Sequence, residues 1–411
     1  MGPITVHTTV DPRADVPRVV GTLYTHHRRG VASATFTYDA GYVAARGAYG
    51  IDPSLPLATG QWHTDVGQAM FGALTDCAPD RWGRTLLRRQ EAGLAAAESR
   101  PARELGEGDY LLGVRDDLRQ GALRLSVDEG PFLAQDDLGI PTLTELPELL
   151  RIAADYERHE DVGLAEIRRL VGAGSSLGGA RPKTHVRDTD GRLAIAKFPS
   201  EGDAWDVMAW ERVALDLAAA AGITVPTSRL VTIAGRQVLV LDRFDRAPDG
   251  RRIGYVSAMT MLEAVDHDPR TYLDIAEAIE QHSDQVVADL HELWRRMVLG
   301  VLLHNTDDHL RNHGFLHAGG GRWRLAPAFD INPNPDPATH ATILSEAHPE
   351  STLVAALDVA PYFRLDAAAA RRALTHVVEG VRQWRDVAAR HGMSRSQVNR
   401  MEPAFAAAVA S

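Results

Sequence analysis

The sequence predicts an α+β chain with a small β-rich N-terminal domain and a two-lobed second part whose C-terminal lobe is mostly α-helical. Three observations predict this. Short β-branched and apolar runs separated by turn residues recur through the first half of the chain. Helical spacing of apolar residues dominates from Met259 onward. At the end of the apolar run Leu293–Leu303 lies His304-Asn305-Thr306-Asp307-Asp308-His309-Leu310-Arg311-Asn312-His313-Gly314, followed by Phe329-Asp330. An Asp, an Asn five residues on, a short hairpin and a second Asp form the pattern that a phosphotransferase requires. Asp307 can accept the proton of an attacking hydroxyl, while Asn312 and Asp330 offer hard oxygen atoms for Mg²⁺ held against nucleotide phosphates. That makes the two-lobed part protein-kinase-like, with a cleft expected between the lobes.

The elements follow in order. Val19–Tyr24 and Val31–Tyr38, flanking His26-His27-Arg28-Arg29-Gly30, read as a hairpin with a polar turn. Phe71–Arg89 reads as a helix entered through a turn at Pro79, and Tyr110–Val127 as two short strands around Asp116-Asp117. These belong to a domain over residues 1–140. Pro131–Pro147 carries three prolines and reads as a linker. A second domain then covers 148–411, with a nucleotide-binding β part at about 172–246 and a helical lobe at about 255–411. Within it we expect a helix at Leu149–Val171, a glycine-rich loop, a strand at Arg192–Phe198 and a helix at Ala204–Ala221. Strands at Thr227–Ile233 and Gln237–Phe244 flank the turn Ala234-Gly235-Arg236. Leu293–Leu303 is apolar on most sides and reads as a buried helix. The strands Gly314–His317 and Arg322–Leu325 are joined by Ala318-Gly319-Gly320-Gly321 and bring Asp330 back beside Asn312.

Bulk properties narrow the function classes. The 411 residues are 45% apolar and 24% charged, enough for a sizeable core, and no apolar run is long enough to span a bilayer. No membrane role is expected, and the lack of a secretory signal at the start points to the cytoplasm. Cys77 is the single cysteine, so intramolecular disulfides are excluded. A net charge of −11 argues against the chain gripping bare DNA by itself.

Two further constellations bear on nucleotide chemistry. Gly172–Lys183 is rich in small residues that let backbone N–H groups approach phosphates, with Arg181 and Lys183 adding positive charge. It lacks the order of a Walker P-loop, and an ordinary flexible loop fits the composition as well. Lys197 shares a strand face with Leu193 and Ile195 about a dozen residues after that loop, which suits phosphate contact; a lysine guarding an edge strand fits too. Glu211 on the next helix is a candidate partner for Lys197, although a solvated helix face suits a glutamate better. Val238–Arg246 is an apolar strand ending in charge, where backbone groups could meet an adenine ring or simply enter a polar loop. Two rival readings of the main motif stay open here. Asp307 and Asp308 could cap helices, or His304, Asp307, Asp308, His309 and His313 could hold a hydrolytic metal.

These residues together resemble the HipA-type serine/threonine kinases, the toxin halves of bacterial toxin–antitoxin pairs. The resemblance rests on Ser176–Lys183, Ala196-Lys197-Phe198, Asp242-Arg243-Phe244-Asp245-Arg246, Asn305–Asn312 and Phe329-Asp330-Ile331. It implies Asp307 as catalytic base, Asn312 and Asp330 as Mg²⁺ ligands, and Lys197 on the ATP phosphates. Gly178, Gly179, Ala180, Arg181, Pro182 and Lys183 would cover those phosphates. Asp242, Arg243 and Phe244 would line the adenine end, with His309 and Phe329 near the nucleotide. Ser176 matches the serine that such kinases autophosphorylate, with Ser175 as the alternative; a phosphate there would eject the loop and stop catalysis. The implied partners are a HipB-like helix-turn-helix antitoxin and a protein substrate such as an aminoacyl-tRNA synthetase. The loop departs from other members in its stiffer Arg181-Pro182 pair, and Asp242 stands where a longer Glu is usual.

Val387–Met401 has helix-turn-helix spacing, with Ala388 at the crossing, Gly392 in the turn, and Val398 and Met401 inside. Given the acidic chain, DNA contact is expected only indirectly, through the antitoxin. Two alternatives remain at this stage: a small-molecule kinase on the same fold, since Asp307–Asn312 also resembles the D-x-H-x-x-N loop of lipid and aminoglycoside kinases, and a catalytically silent co-repressor that binds antitoxin.

Overall fold

The computed structural model describes residues 2–10, 16–28, 30–128, 130–133, 139–160, 162–174, 181–266, 268–338, 340–348 and 351–410. By its internal contacts the chain divides into two compact units. One comprises residues 1–202, 232–256 and 319–321; the other comprises 203–231, 257–318 and 322–411. The class is α+β, with β structure concentrated toward the N-terminus and helices toward the C-terminus.

In the first unit, β1 (Ile4–Thr9), β2 (Pro17–Arg28), β3 (Val31–Tyr38), β4 (Gln61–His63) and β5 (Arg124–Val127) form a sheet of order β4–β3–β2–β1–β5. Alternation in β1 turns Ile4, Val6 and Thr8 inward, where they are fully buried with Val20, Leu23 and Phe36. Each apolar side chain so placed contributes roughly 2 kcal/mol. Gly21 pairs with Val6 beside a bulge, and a Cβ there would lie 2.2 Å from Thr37 O, so only glycine fits. The β2–β3 turn is tighter than the sequence suggests. His26, His27 and Arg28 are strand residues paired with Ser33, Ala32 and Val31, and Gly30 takes φ +79° at the turn.

Tyr110 is helical rather than extended. Asp109 Oδ2 accepts from Gly106 N at 3.0 Å at the start of the helix Glu107–Leu112, in which Tyr110 and Leu111 are buried. The expected helix at Phe71–Arg89 is two helices, Gly72–Asp76 and Arg81–Ala97, the second capped by Asp80. The expected helix at Leu149–Val171 is also two, Leu146–Glu157 and Leu164–Gly174, with Pro147 in the first turn and His159 at φ +58° ending it.

A second sheet in this unit has the order β6–β7–β9–β8, formed by β6 (Lys183–Arg187), β7 (Leu193–Lys197), β8 (Ser228–Ile233), where the chain re-enters the unit, and β9 (Arg236–Asp242). Strand β6 was not anticipated. Its register places Lys183 opposite Lys197 and Val186 opposite Ala194. Ala234 and Gly235, both at positive φ, make the two-residue turn between β8 and β9.

The second unit is helical around a buried helix, Val286–Leu302, that starts earlier than its apolar run suggests. Ser283 and Asp289 organise its beginning: Ser283 Oγ donates to Asp289 Oδ2 at 2.7 Å and accepts from Gln285 N at 2.9 Å. Trp294 is fully buried and donates from Nε1 to Ala356 O at 2.9 Å. Trp384 stacks on Phe405 with centroids 4.3 Å apart, and Trp210 packs against both. The two C-terminal helices expected from the spacing form as Trp384–Arg390 and Arg395–Met401, with Gly392 at φ +73° in the turn and a Ser394–Gln397 capping box. Ala388 and Met401 are buried, while Val398 is only half-buried.

Candidate active site

The site in the second unit is built from the end of the helix Val286–Leu302. Its inward residues Leu290, Leu293, Trp294 and Val298 are fully buried, which fixes where it delivers the chain. His304 turns at φ +48°, and Asn305 N donates back to Gly300 O at 2.9 Å. The following loop is pinned to the segment after the hairpin. Ala341 N donates to Thr306 O (2.9 Å), Asn334 Nδ2 to Thr306 Oγ1 (2.8 Å) and Asn332 N to Asn305 Oδ1 (3.3 Å). His304 Nδ1 lies 2.8 Å from Asn334 O, and His340 Nδ1 lies 3.1 Å from Asn305 O. The motif alone did not point to Asn332, Asn334 or His340. A signal existed in Asn332-Pro333-Asn334-Pro335, since Asn-Pro steps mark tight turns with asparagine side chains free to bond the backbone.

The two adjacent aspartates face opposite environments. Asp307 is exposed and Asp308 is buried. Asn312 Nδ2 donates to Asp307 O at 2.9 Å, and Asn312 N donates to His309 O at 2.8 Å, closing the loop through the short turn Leu310–Asn312. Below it, the Tyr272 hydroxyl donates to Asp308 Oδ2, and His313 Nε2 lies 3.0 Å from Asp308 Oδ1. Burial pushes the Asp308 carboxyl up, but the His313 ring and the Tyr272 hydroxyl outweigh it and hold the group below the usual carboxylate range. Burial, reinforced by Asp308, raises the Tyr272 hydroxyl well above its ordinary value.

The hairpin of Gly314–Gly319 and Arg322–Leu325 returns the chain to this loop. A cavity of about 20 Å³ is lined by Tyr272, Asp308, Asn312, His313, Phe329 and Ile331, among others, so the loop and the residues around Asp330 surround a common space. Asp330 sits at φ +60°, a left-handed conformation that costs an L-residue about 1 kcal/mol. The donor types of Asn312 and Asp330 would suit Mg²⁺: the Asn312 amide nitrogen is committed to Asp307 O, so its oxygen would be the donor, and Asp330 would offer a carboxylate. The rival hydrolytic-metal reading has no matching geometry. Asp308 and His313 engage each other in the interior, and no group of three or more His, Cys, Asp or Glu side chains able to hold a metal gathers among the described residues. His309 is half-buried, and its Nδ1 has no hydrogen-bond partner among the described residues.

The remaining candidates lie in the first unit, apart from Glu211 and Phe329. Ser175, Ser176, Gly178, Gly179 and Ala180 lie outside the described residues. Arg181 is half-buried, and Pro182 O accepts from Phe198 N at 2.9 Å. Lys183 is nearly fully buried, its Nζ 3.0 Å from Asp80 Oδ2, the residue that also caps the helix Arg81–Ala97. Burial, against the pull of Lys183, raises the Asp80 carboxyl. Lys197 is half-buried at the end of β7, between buried Ala196 and Phe198. Asp242 Oδ2 pairs with Arg192 Nη1 at 3.0 Å, and Phe244 packs 6.1 Å from the Tyr255 ring.

Arg243 is buried in a network. It pairs with Asp245 and donates from Nη1 to Leu118 O (2.7 Å) and to His185 Nε2 (2.8 Å). Asp245 in turn accepts from Gly121 N at 2.7 Å, and burial against it is outweighed by Arg243 and Arg246, which hold its carboxyl far below the usual range. Burial and the nearby Arg243 charge depress His185, so its ring stays neutral and accepts the arginine bond. Arg252 reaches Asp116 Oδ2 at 2.9 Å. The Asp-Arg-Phe-Asp-Arg stretch therefore ties β9 to the N-terminal segment. Glu211, in the second unit, is 1% exposed, so it is not the solvated helix-face residue that its type suggests.

Comparison with known proteins follows the same line. Residues 175–385 match the HipA-like C-terminal domain family. A putative kinase of Haemophilus influenzae is 30% identical over 132 residues, a match spanning 28% of this chain and 38% of that protein. A chain from the Shewanella oneidensis MR-1 toxin–antitoxin complex of HipA, HipB and operator DNA superposes with a TM-score of 0.65 at 14% identity, covering 99% of this chain and 96% of that one. At that identity the likeness speaks for the fold alone.

Proposed function

The chain belongs to the HipA-like C-terminal domain family, and on that premise we propose that it is an ATP- and Mg²⁺-dependent serine/threonine protein kinase. The observation that carries the reading is the exposed Asp307 on a loop whose backbone carbonyl is held by the Asn312 side chain at 2.9 Å. An exposed carboxylate on an over-determined loop is what a base for an incoming hydroxyl needs. Asp307 takes the proton of the acceptor serine or threonine. Asn312 and Asp330 hold Mg²⁺, which neutralises charge on the nucleotide phosphates when bound. Catalysis is then mainly positioning and electrostatics.

In the same reading Lys197 contacts the ATP phosphates, and residues 178–182 cover them. Asp242 and Phe244 lie at the adenine end, with His309 and Phe329 near the nucleotide. Lys183 and Arg243 have their side chains in buried pairings, so we assign them to holding the strand sheet rather than to direct nucleotide contact. Residues 1–140 form an N-terminal domain and 148–411 the kinase domain. A HipB-like antitoxin is the proposed partner, by analogy with the Shewanella complex. The acceptor is a cytoplasmic protein. No helix among the described residues is long and apolar enough to cross a membrane.

The test is incubation of wild type and Asp307→Ala with radiolabelled ATP and Mg²⁺, followed by mass-spectrometric mapping. Label on Ser176 or Ser175 in wild type alone is expected. Label in Asp307→Ala at the wild-type rate would remove the base assignment, and absence of both label and ATP affinity in unphosphorylated wild type would remove the kinase reading.

A further inference from the structure

We propose that Tyr272, Asp308 and His313 are positioning residues: a buried clamp that sets the orientation of Asp307 and Asn312 for phosphoryl transfer. The inference rests on the kinase reading above and adds to it three residues that do not touch substrate.

The geometry is specific. Asp308 is the immediate neighbour of the candidate base, and its two carboxylate oxygens are held from different parts of the chain. Oδ2 accepts from the Tyr272 hydroxyl, at the first turn of the helix Tyr272–His282, and Oδ1 lies 3.0 Å from His313 Nε2, at the entry to the hairpin. The Tyr272 and His313 rings also meet edge to face, with centroids 5.4 Å apart and planes at 78°. The Tyr272 contact is a hydrogen bond, whereas the His313 approach lacks hydrogen-bond alignment; all three side chains are buried, so water does not compete for either contact. Tyr272 is fixed in turn: its N–H donates to Ile343 O at 3.1 Å, and Thr271 caps its helix together with Asp274. His313 O accepts from Ala258 N at 2.7 Å.

The consequence is mechanical. Drawing the Asp308 side chain inward fixes the peptide that joins it to Asp307, which lies in the preceding turn with its own side chain exposed. His313 follows Asn312 directly. The same clamp therefore fixes both ends of the segment whose closing bond is Asn312 Nδ2 to Asp307 O. Misplacement of about 1 Å at a base or metal ligand costs about 10²-fold in rate, so losing one anchor should be visible in turnover before it is visible in binding.

The experiment compares Asp308→Asn, Tyr272→Phe and Asp307→Ala in the full chain. It measures the single-turnover rate of self-phosphorylation at saturating Mg²⁺-ATP, the ATP affinity by calorimetry, and amide hydrogen exchange across 305–313. Tyr272→Phe removes one hydroxyl and keeps the ring contact, so it remains informative if Asp308→Asn does not fold. Both clamp variants are expected to transfer phosphate about tenfold or more slowly, with ATP affinity within about twofold of wild type. Exchange at the loop amides should be faster while that of the helix Val286–Leu302 stays unchanged. A wild-type rate in a folded Asp308→Asn or Tyr272→Phe protein would overturn the clamp, as would unchanged loop exchange. If Asp307→Ala keeps the wild-type rate, the base assignment has failed instead, and the two failures are told apart.

Discussion

The Asp80–Lys183 pair makes a quantitative demand on the first unit. Nζ and Oδ2 are 3.0 Å apart, and the two side chains are 4% and 5% exposed, so neither charge has water to fall back on. Asp80→Asn removes the carboxylate and keeps a side chain able to cap Gly83 N, which now donates to Asp80 Oδ1 at 2.7 Å. It isolates the charge effect and should cost about 3–5 kcal/mol, because the Lys183 ammonium is left buried and unpaired. Lys183→Met should cost a similar amount through the stranded carboxylate. The double variant Asp80→Asn/Lys183→Met removes both charges and should lose much less than the two single losses combined, a coupling of about 2 kcal/mol or more. Urea midpoints give the global loss, and hydrogen exchange at β6 and β7 gives the local one. A loss below about 0.5 kcal/mol for Asp80→Asn, or strict additivity in the double variant, would refute a buried tie. Lys183→Met losing ATP affinity while Asp80→Asn keeps it would instead return Lys183 to the phosphates.

Three other perturbations follow from single features. Asp330→Gly relieves the left-handed backbone at φ +60° and should leave stability equal or higher by about 1 kcal/mol while abolishing transfer; a marked drop in urea midpoint would show that the conformation is not strained. Burial pulls the His317 ring down to about 4. Between pH 6.5 and 4 the unfolded chain takes a proton that the folded ring refuses, so stability falls on acidification, by about 1.5 kcal/mol from pH 6.5 to 5. His317→Gln should lack that part of the slope, and equal losses in both proteins at pH 5 would exclude the assignment. Trp384→Ala removes the ring stacked 4.3 Å from Phe405 and should cost about 3–5 kcal/mol; a change under 1 kcal/mol in urea unfolding would contradict its place in the core.

Local signals carried part of the fold. The β8–β9 turn was legible because Ala234-Gly235 between apolar runs is short-range chemistry, and both residues do take positive φ. The C-terminal helix pair was legible from Gly392 and the apolar spacing around it. Strand β6 was not, because Lys183-Thr184-His185 reads as polar. Those residues are buried only because Asp80, Ala173 and Arg243 satisfy them: Thr184 Oγ1 bonds Ala173 O at 3.1 Å, and His185 meets Arg243. Such partners lie far off in sequence, and periodicity cannot report them. The same holds for Tyr110, whose aromatic ring suits a strand but which lies in a helix started by the Gly106 N to Asp109 Oδ2 bond.

The active-site loop shows where position in a motif and physical environment inform each other. Asp307 and Asp308 are the same residue type, one bond apart, and nothing local separates a base from a structural acid. Their different fates come from Tyr272, which lies 36 residues before Asp308, and from His313 after it. Asp308 is buried, with Oδ2 bonded to the Tyr272 hydroxyl and Oδ1 3.0 Å from His313 Nε2, and its carboxyl is held below the usual range, so it does not face an acceptor hydroxyl in solvent. In the proposed reading the exposed neighbour, Asp307, is the carboxylate that meets substrate. The assignment of Asp307 thus has a footing independent of family likeness: exchanging Asp308 for a residue that cannot hold both anchors should disturb the base without touching it, whereas exchanging Asp307 should leave the clamp intact.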